Sequence, residues 1–327
     1  MQLRTTFEIP SFHPKISYKS GIFTMGSCFS AMLAGKLLQR KFTVLDNPFG
    51  TVFNPVSIFD LLTQALLHQK PDPRLVLERQ QRFYHYGMHS LVSAGTEKQL
   101  WEMIESHQSL TREFLSSASH IFFTFGSAFI YELKENGQLV SNCQKQPQSL
   151  FNKRLLGLEE MRDHFGYFYE TLQRLNPAAQ IILTVSPVRH SKDGIPENQL
   201  SKSLLRVMVH QLGEAHGQLV YFPSYELMMD DLRDYRFYAE DMVHPSPQAE
   251  NYIWELFQTC YLDKSSMESA KMIAEINRAL QHRPLHPESV AHIQFLRDLL
   301  HRMERLSPEF DFSREIEAVK VKLGMDL

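Results

Sequence analysis

The sequence has few of the features that mark secreted, membrane or metal-binding proteins. Its 327 residues include three cysteines, an odd number at scattered positions, which does not suggest a disulfide framework. No C-x-x-C or Cys/His cluster has metal-site spacing, so we expect no metal. The N-terminus lacks the apolar core of a signal peptide, and no run of about 18 apolar residues occurs. These absences predict a cytoplasmic protein with free thiols and no membrane span.

An excess of basic charge is also missing. Lys and Arg total 34 against 37 Asp and Glu, a formal net charge of −3, which argues against a nucleic-acid partner. The composition, 43% hydrophobic and 22% charged, is that of a globular protein with enough apolar residues for a core. The length predicts either one large domain with an appendage or two domains.

Apolar segments alternate with amphipathic ones through most of the chain. Unbroken apolar strands alternating with helices indicate an α/β fold with a parallel sheet covered on both faces. In such sheets the functional site forms at the carboxyl ends of the strands. The predicted strands lie within residues 21–25, 120–129, 178–190 and 217–226, and the predicted helices at 97–117, 155–174 and 197–215.

Three further features complete the predicted organisation. Residues 44–55 are predicted as a loop, with a helix beginning near Pro55, and residues 82–87 as a strand. After about residue 262 the apolar residues recur every three to four positions. We therefore predict an α/β domain at 1–261 and a C-terminal helical extension at 262–327. The extension either packs on the sheet domain or forms a homo-oligomer.

The stretch "GIFTMGSCFS" places a Ser and a Cys on a predicted strand-to-helix turn. Ser27 is suited to cap the helix, which puts Cys28 at the first helical position. The positive end of a helix favours a thiolate, so a nucleophilic Cys28 would have a lowered pKa. The alternative is that Ser27 only caps and Cys28 is a small buried apolar residue.

A nucleophile needs a base, and the base needs an orienting group. Asp241 and His244 lie three residues apart in a loop before a helical pattern that begins near Pro247. At this spacing the carboxylate can reach Nδ1 and leave Nε2 free. Because the loop follows the last strand, we expect it to return to the sheet edge that carries Cys28.

Several motifs together resemble one family. "GSCFS", "NPFGTVFNP" and "DMVHP", strengthened by "VSNCQKQP" and "TVSPVRH", resemble the GSCFA-domain proteins, which are similar to the SGNH/GDSL hydrolase superfamily. The resemblance spans about residues 1–260. It implies a flavodoxin-like, three-layer α/β/α core and an esterase-type or acyltransferase activity, often on acylated carbohydrate.

The resemblance assigns roles residue by residue. Cys28 falls where the superfamily has its serine nucleophile, and Asp241 and His244 match the superfamily's D-x-x-H block. Ser27 replaces the acidic residue of the first block. A one-residue slip would make Ser27 the nucleophile, so both remain open, with Cys28 favoured by the register.

The oxyanion hole is the least defined part of the predicted site. The Gly-x-Asn-Asp block of the superfamily is represented only by Gly126 and Ser127, without the Asn. The expected donors are the backbone N–H groups of Cys28 and Gly50 and a side chain from Asn142 or Ser127. Two or three donors aimed at the developing charge are needed.

The resulting hypothesis is a hydrolase or acyltransferase acting on a small-molecule or carbohydrate ester, without a metal or redox cofactor. Acyl-CoA is a candidate acyl donor, although no Gly-rich loop that could cradle its phosphates is evident. Arg189 or His190 could meet an anionic acyl donor or a sugar acid, or could lie in a solvated loop. The rival hypothesis is a carbohydrate- or protein-binding module that has lost its chemistry.

Overall fold

Strands and helices alternate along most of the protein. The computed structural model describes residues 4–325. Its strands are β1 (Gly21–Gly26), β2 (Thr43–Asp46), β3 (Val76–Arg79), β4 (Arg82–His85), β5 (Ser93–Ala94), β6 (His120–Phe125), β7 (Phe129–Leu133), β8 (Leu139–Val140), β9 (Phe151–Leu155), β10 (Gln180–Val185) and β11 (Val220–Tyr221). Its helices are α1 (Cys28–Leu38), α2 (Pro55–Leu66), α3 (Glu97–Ser117), α4 (Leu158–Leu175), α5 (Ile195–Ala215), α6 (Ser224–Glu226), α7 (Pro247–Tyr261), α8 (Lys264–Leu280), α9 (Val290–Leu306) and α10 (Ser313–Lys322). Within residues 4–325, none of the helices combines the length and hydropathy of a transmembrane span.

Five parallel strands form the central sheet, in the order β11-β10-β6-β1-β2. Numbered by their sequence among these five, the strands follow the 2-1-3-4-5 order of flavodoxin-like folds. The order reverses between β1 and β6, so the connections after these two strands leave in opposite directions. The crevice that opens at such a reversal is the usual ligand site of an open α/β sheet.

Both faces of the sheet are buried, which explains its continuous apolar strands. Alternate side chains, such as Phe23 and Phe123, point to one face and pack in the core formed with α2–α5. Their neighbours, such as Ile22 and Phe122, point to the other face, where α1 and α7 cover them. The predicted three-layer α/β/α fold is confirmed.

Two small antiparallel sheets lie outside the central one, in the orders β3-β4-β5 and β8-β7-β9. The predicted strand at 82–87 is β4, in the first of these sheets, and the second sheet was not predicted. The predicted loop at 44–55 was wrong at its start, because β2 pairs there with β1 as a four-residue edge strand. A strand this short and partly exposed gives almost no hydrophobic periodicity in the sequence. The helix predicted near Pro55 is confirmed as α2, capped by Asn54.

The C-terminal helices α8, α9 and α10 share a small apolar core of their own. Tyr18 joins this core to the sheet domain, with its ring stacked on Phe42 at 4.2 Å and edge-on to Phe310 at 4.5 Å. Lys41 pairs with Glu315 at 2.8 Å across the same junction. The helical extension therefore packs on the sheet domain, and the boundary at residue 262 and self-association stay predictions.

Phe59 on α2 lies at the centre of an aromatic cluster beneath the sheet. Its buried ring lies within 6 Å, centroid to centroid, of Phe123, Phe125, Phe165 and Phe168. Phe59→Ala should lower the free energy of unfolding by about 3–5 kcal/mol, because a cavity remains in a close-packed core. Urea unfolding measures the change. Tyr167→Ala on the exposed face of α4 is the control, and an equal loss in both variants would contradict this account.

Candidate active site

A cleft of about 690 Å³ opens at the carboxyl edge of the central sheet. Its floor includes Cys28, which follows β1, and Ser127, which follows β6. These are the two strands between which the strand order reverses. The lining also includes residues of the small β7–β9 sheet and residues 188–193 and 243–244. The volume is typical of a small-molecule site.

The turn that carries Cys28 is fixed by the close approach of β6. Gly26 has φ +146°, and a Cβ placed there would lie 2.1 Å from the Thr124 carbonyl oxygen, so only glycine fits. The Ser27 N–H donates to the same oxygen at 3.0 Å. Helix α1 then begins at Cys28, so this residue directly follows the turn.

Ser27 is a capping residue with a buried side chain. Its Oγ accepts a hydrogen bond from the Phe29 N–H at 3.3 Å, and the residue is 1% exposed. Cys28, in contrast, is exposed and lines the cleft. The predicted cap is thus present, and the thiol is the group that faces the cleft.

The pKa of the Cys28 thiol is raised above its ordinary value. Desolvation by the surrounding cleft walls is the larger cause, and the residue's own backbone N–H, which stabilises the thiolate, opposes it. The pKa thus shifts in the direction opposite to the expected lowering, because desolvation outweighs the stabilisation by the backbone N–H. A raised pKa favours the thiol over the thiolate, so a nucleophilic Cys28 would need a base.

Asp241 and His244 form the hydrogen-bonded pair that the sequence predicted. The Asp241 Oδ2 lies 2.6 Å from the His244 Nδ1, and Oδ1 accepts the backbone N–H groups of Val243 at 2.9 Å and His244 at 3.0 Å. These bonds, led by the His244 backbone N–H, lower the pKa of Asp241 to about 2. Met242 has a φ of +57°, an uncommon conformation for a non-glycine residue that tightens the turn.

His244 and Cys28 both line the cleft, although they come from opposite ends of the α/β domain. Since Nδ1 faces Asp241, Nε2 is the ring nitrogen left for a ligand or a proton. The cleft therefore contains a thiol together with an imidazole oriented by a carboxylate. This set of groups is suited to nucleophilic acyl transfer.

Residues 21–257 match the model of the GSCFA family. The chain belongs to the GSCFA family. Residues 273–324 also match a second model, described as the C-terminal domain of GSCFA domain proteins. A search of curated proteins finds no match to this GSCFA protein.

Two of the predicted oxyanion donors lie outside the cleft lining. The Gly50 N–H donates to the Asn47 carbonyl at 2.7 Å in a turn with φ +74°, and a Cβ at Gly50 would lie 2.3 Å from His89. Asn142 Oδ1 accepts the Gln144 N–H at 2.8 Å. The Gly50 N–H is thus used by its own turn, and neither residue lines the cleft, so their oxyanion roles stay predictions that the geometry does not favour.

The backbone N–H groups after β6 are occupied. The Gly126 and Ser127 N–H groups both donate to the Phe53 carbonyl, at 2.8 and 3.1 Å. Ser127 lines the cleft, and its Oγ accepts the Phe129 N–H at 3.0 Å, a bond that does not use its O–H, so its role as a donor stays a prediction. Sequence reasoning missed Asn54, which also lines the cleft, and whose amide donates one N–H to Ser57 Oγ at 3.0 Å. A side-chain amide has a second N–H, so Asn54 is a candidate donor.

Lys202 on α5 is fully buried beneath the cleft. Its ammonium donates to the carbonyls of Gly126 at 2.7 Å and Ser186 at 2.8 Å, the residues that directly follow the adjacent strands β6 and β10. In residues 4–325 no carboxylate forms an ion pair with it. Burial lowers the pKa of Lys202 to about 7. The residue holds the two strand ends together under the site.

The same face of α5 fixes two more cleft segments. Asn198 accepts the His190 N–H at 2.8 Å, and Ser201 Oγ accepts the Ala128 N–H at 2.7 Å. Burial, followed by the Lys202 charge, lowers the pKa of His190 to about 4, so its imidazole is neutral near pH 7. The sequence signal for this buried face was the i, i+3, i+4 spacing of Asn198, Ser201 and Lys202. The same spacing is equally typical of a solvent-exposed helix start.

No group of three or more His, Cys, Asp or Glu in residues 4–325 is arranged to hold a metal ion.

The raised pKa of Cys28 has a measurable consequence. Iodoacetamide should label Cys28 slowly near pH 7, and the rate should still be rising above about pH 9, because the thiolate reacts and its fraction grows only there. Mass spectrometry of the Cys28 peptide across pH measures the profile, and an unstructured cysteine peptide is the control. A rate that levels off below pH 8 would instead indicate a thiolate–imidazolium pair.

Lys202 should make stability depend on pH. Between about pH 7, its folded pKa, and about 10.4, its ordinary value, the unfolded chain binds more protons than the folded one, so the free energy of unfolding rises with pH. Lys202→Met removes this titration. The free energy of unfolding of the wild type minus that of the variant, measured by urea unfolding, should therefore increase with pH across that window. The exposed Lys134→Met is the control, and a constant difference for Lys202→Met would contradict the low pKa.

Proposed function

We propose that this protein is an SGNH-like acyl hydrolase or acyltransferase that acts on an acylated carbohydrate or a similar small ester. The observation that carries the proposal is that Cys28 and the Asp241-oriented His244 line one cleft. The strand order supports it, because the cleft lies where a flavodoxin-like sheet binds its ligands. The similarity of the GSCFA motifs to the SGNH/GDSL superfamily supplies the reaction class.

The first half-reaction transfers the acyl group to the enzyme. His244 Nε2 takes the thiol proton as Cys28 Sγ attacks the carbonyl carbon of the ester. The tetrahedral intermediate then collapses, its C–O bond breaks, and the leaving alcohol takes the proton back from His244. Asp241 keeps Nδ1 protonated and stabilises the transient imidazolium. The product is a thioester on Cys28.

The second half-reaction decides between the two activities. His244 takes a proton from water in the hydrolase, or from an acceptor hydroxyl in the transferase, and the oxygen attacks the thioester carbonyl. Cys28 leaves and regains its proton. Both versions share the first step and the same residues, so the acceptor that enters the cleft sets the outcome.

Two groups are suited to stabilise the oxyanion. The Cys28 N–H lies at the start of α1, where helix N–H groups lack intrahelical partners, and it points toward its own sulfur. The second amide N–H of Asn54 is available from the cleft wall. We assign the oxyanion hole to these two donors, which take the place of the missing Asn after β6.

The exposure of the two adjacent candidates favours Cys28 over Ser27 as nucleophile. A buried Ser27 would have to break its cap to reach a substrate, whereas Cys28 already faces the cleft. The rival function, a binding module without chemistry, has no use for an imidazole oriented by a carboxylate that two backbone N–H groups hold in place.

The proposal predicts ester cleavage that depends on three side chains. Cys28→Ala should lower kcat/KM for p-nitrophenyl acetate by about a thousandfold or more, and Asp241→Asn by about a hundredfold or more, since the triad acts as a unit. His244→Gln should resemble Cys28→Ala. Release of p-nitrophenol, with acetyl-CoA and sugar acceptors tested in parallel, separates hydrolysis from transfer.

Cys143→Ala is the matched control, because Cys143 lies outside the cleft lining. An acetyl adduct on the Cys28 peptide, trapped by rapid acid quench, would identify the nucleophile. Turnover that survives Cys28→Ala, or no adduct and no turnover in wild type, would favour the binding module.

A further inference from the structure

Arg189 is a cation that the proposed chemistry does not use. Its guanidinium lies 3.8 Å from the ring centroid of Tyr238 and 5.6 Å from that of Tyr235. Its backbone N–H donates to the Val243 carbonyl at 3.1 Å, which ties it to the segment that carries His244. Arg189 thus lines the cleft from a fixed position beside the candidate base.

The charges lining the cleft are unbalanced. Lys153, Arg189 and Lys192 face a single carboxylate, that of Asp193, and this carboxylate is paired with Lys153 across the cleft mouth. Neither Arg189 nor Lys192 has a carboxylate within ion-pair distance in residues 4–325. Two positive charges are therefore left for a ligand.

A guanidinium held on aromatic rings is well suited to bind an anion. A guanidinium has five N–H donors, and those that the contact with Tyr238 leaves free match the two oxygens of a carboxylate or a phosphate. The contact also restricts the side chain in advance, so less entropy is lost on binding. A cleft with two unpaired cations further concentrates anions near Cys28.

We propose that the substrate carries an anionic group, a carboxylate or a phosphate, which binds Arg189 with help from Lys192 while the acyl carbonyl lies at Cys28. This inference rests on the proposed function only in calling the bound molecule a substrate. The anion subsite itself can be tested without any turnover, through the reactivity of the Cys28 thiol.

The probes are maleimides that carry a carboxylate on chains of increasing length: maleimidoacetic, 3-maleimidopropionic and 6-maleimidohexanoic acid. Neutral N-alkyl maleimides of equal length are their partners. For each chain length we take the rate at which the acid probe labels Cys28, divided by the rate for the neutral probe. Dividing this ratio by the same ratio for glutathione gives a normalised ratio, which measures anion recognition when the chain spans the subsite. We expect a normalised ratio of about tenfold or more for the best chain length, the effect of one charge-assisted hydrogen bond.

Variants assign the effect to residues. Arg189→Gln should bring the normalised ratio close to one, Arg189→Lys should keep part of it, and Lys192→Gln should lower it. Arg162→Gln, at an exposed site on α4 away from the cleft, should leave it unchanged. Thermal unfolding checks that each variant is folded. If Arg189→Gln does not fold, Lys192→Gln, which changes an exposed turn, provides the test.

Competing anions distinguish the two chemical sources. Succinate and inorganic phosphate are compared as competitors of the acid probe at constant ionic strength. Stronger slowing by succinate would indicate a carboxylate ligand, and stronger slowing by phosphate would indicate a phosphate ligand. A normalised ratio near one in wild type at every chain length, or a ratio unaffected by both Arg189→Gln and Lys192→Gln, would overturn the subsite. An intact ratio without ester cleavage would reject the hydrolase and keep the subsite, whereas ester cleavage without the ratio would do the opposite.

Discussion

The backbone of Gly26 lies against Thr124 so closely that no side chain fits between the ends of β1 and β6. This contact brings together the two strands at which the sheet order reverses, and it fixes the direction in which the chain enters α1. Cys28 faces the cleft as a consequence. A Cβ at Gly26 would push the strands apart and move the first helical turn, so the site depends on this one approach.

The loops around the cleft are fixed by polar groups below and beside them. Lys202 joins the ends of β6 and β10 from beneath, at the cost of burying an ammonium without a carboxylate. Asp241 uses one carboxylate both to close its own turn and to orient His244. The buried Lys202 and the positive φ of Met242 both cost stability. Both lie around the cleft that contains Cys28 and His244, which supports the proposed function.

Local signals allowed much of the fold and the central pair of groups to be predicted. The strands at 21–25 and 120–129 are buried on both faces and give unbroken apolar runs, and the Ser27 cap and the Asp241–His244 spacing are short-range patterns. Long-range contacts were not predictable in this way. Lys202 reads as a solvated helix residue until its carbonyl partners are known, and the β7–β9 sheet is built from short strands with mixed polarity. The direction of the Cys28 pKa was wrong because burial is a property of the assembled cleft.

The central claim is that the Cys28 thiol and the His244 imidazole face each other across the cleft. The most direct measurement is cross-linking with 1,3-dibromoacetone, a short reagent that alkylates a thiol and then a nearby ring nitrogen, followed by peptide mass spectrometry. The account predicts a bridge between the peptides that contain Cys28 and His244, formed stoichiometrically and lost in His244→Gln. Alkylation of Cys28 with the second arm hydrolysed, or attached to a different residue, would contradict it.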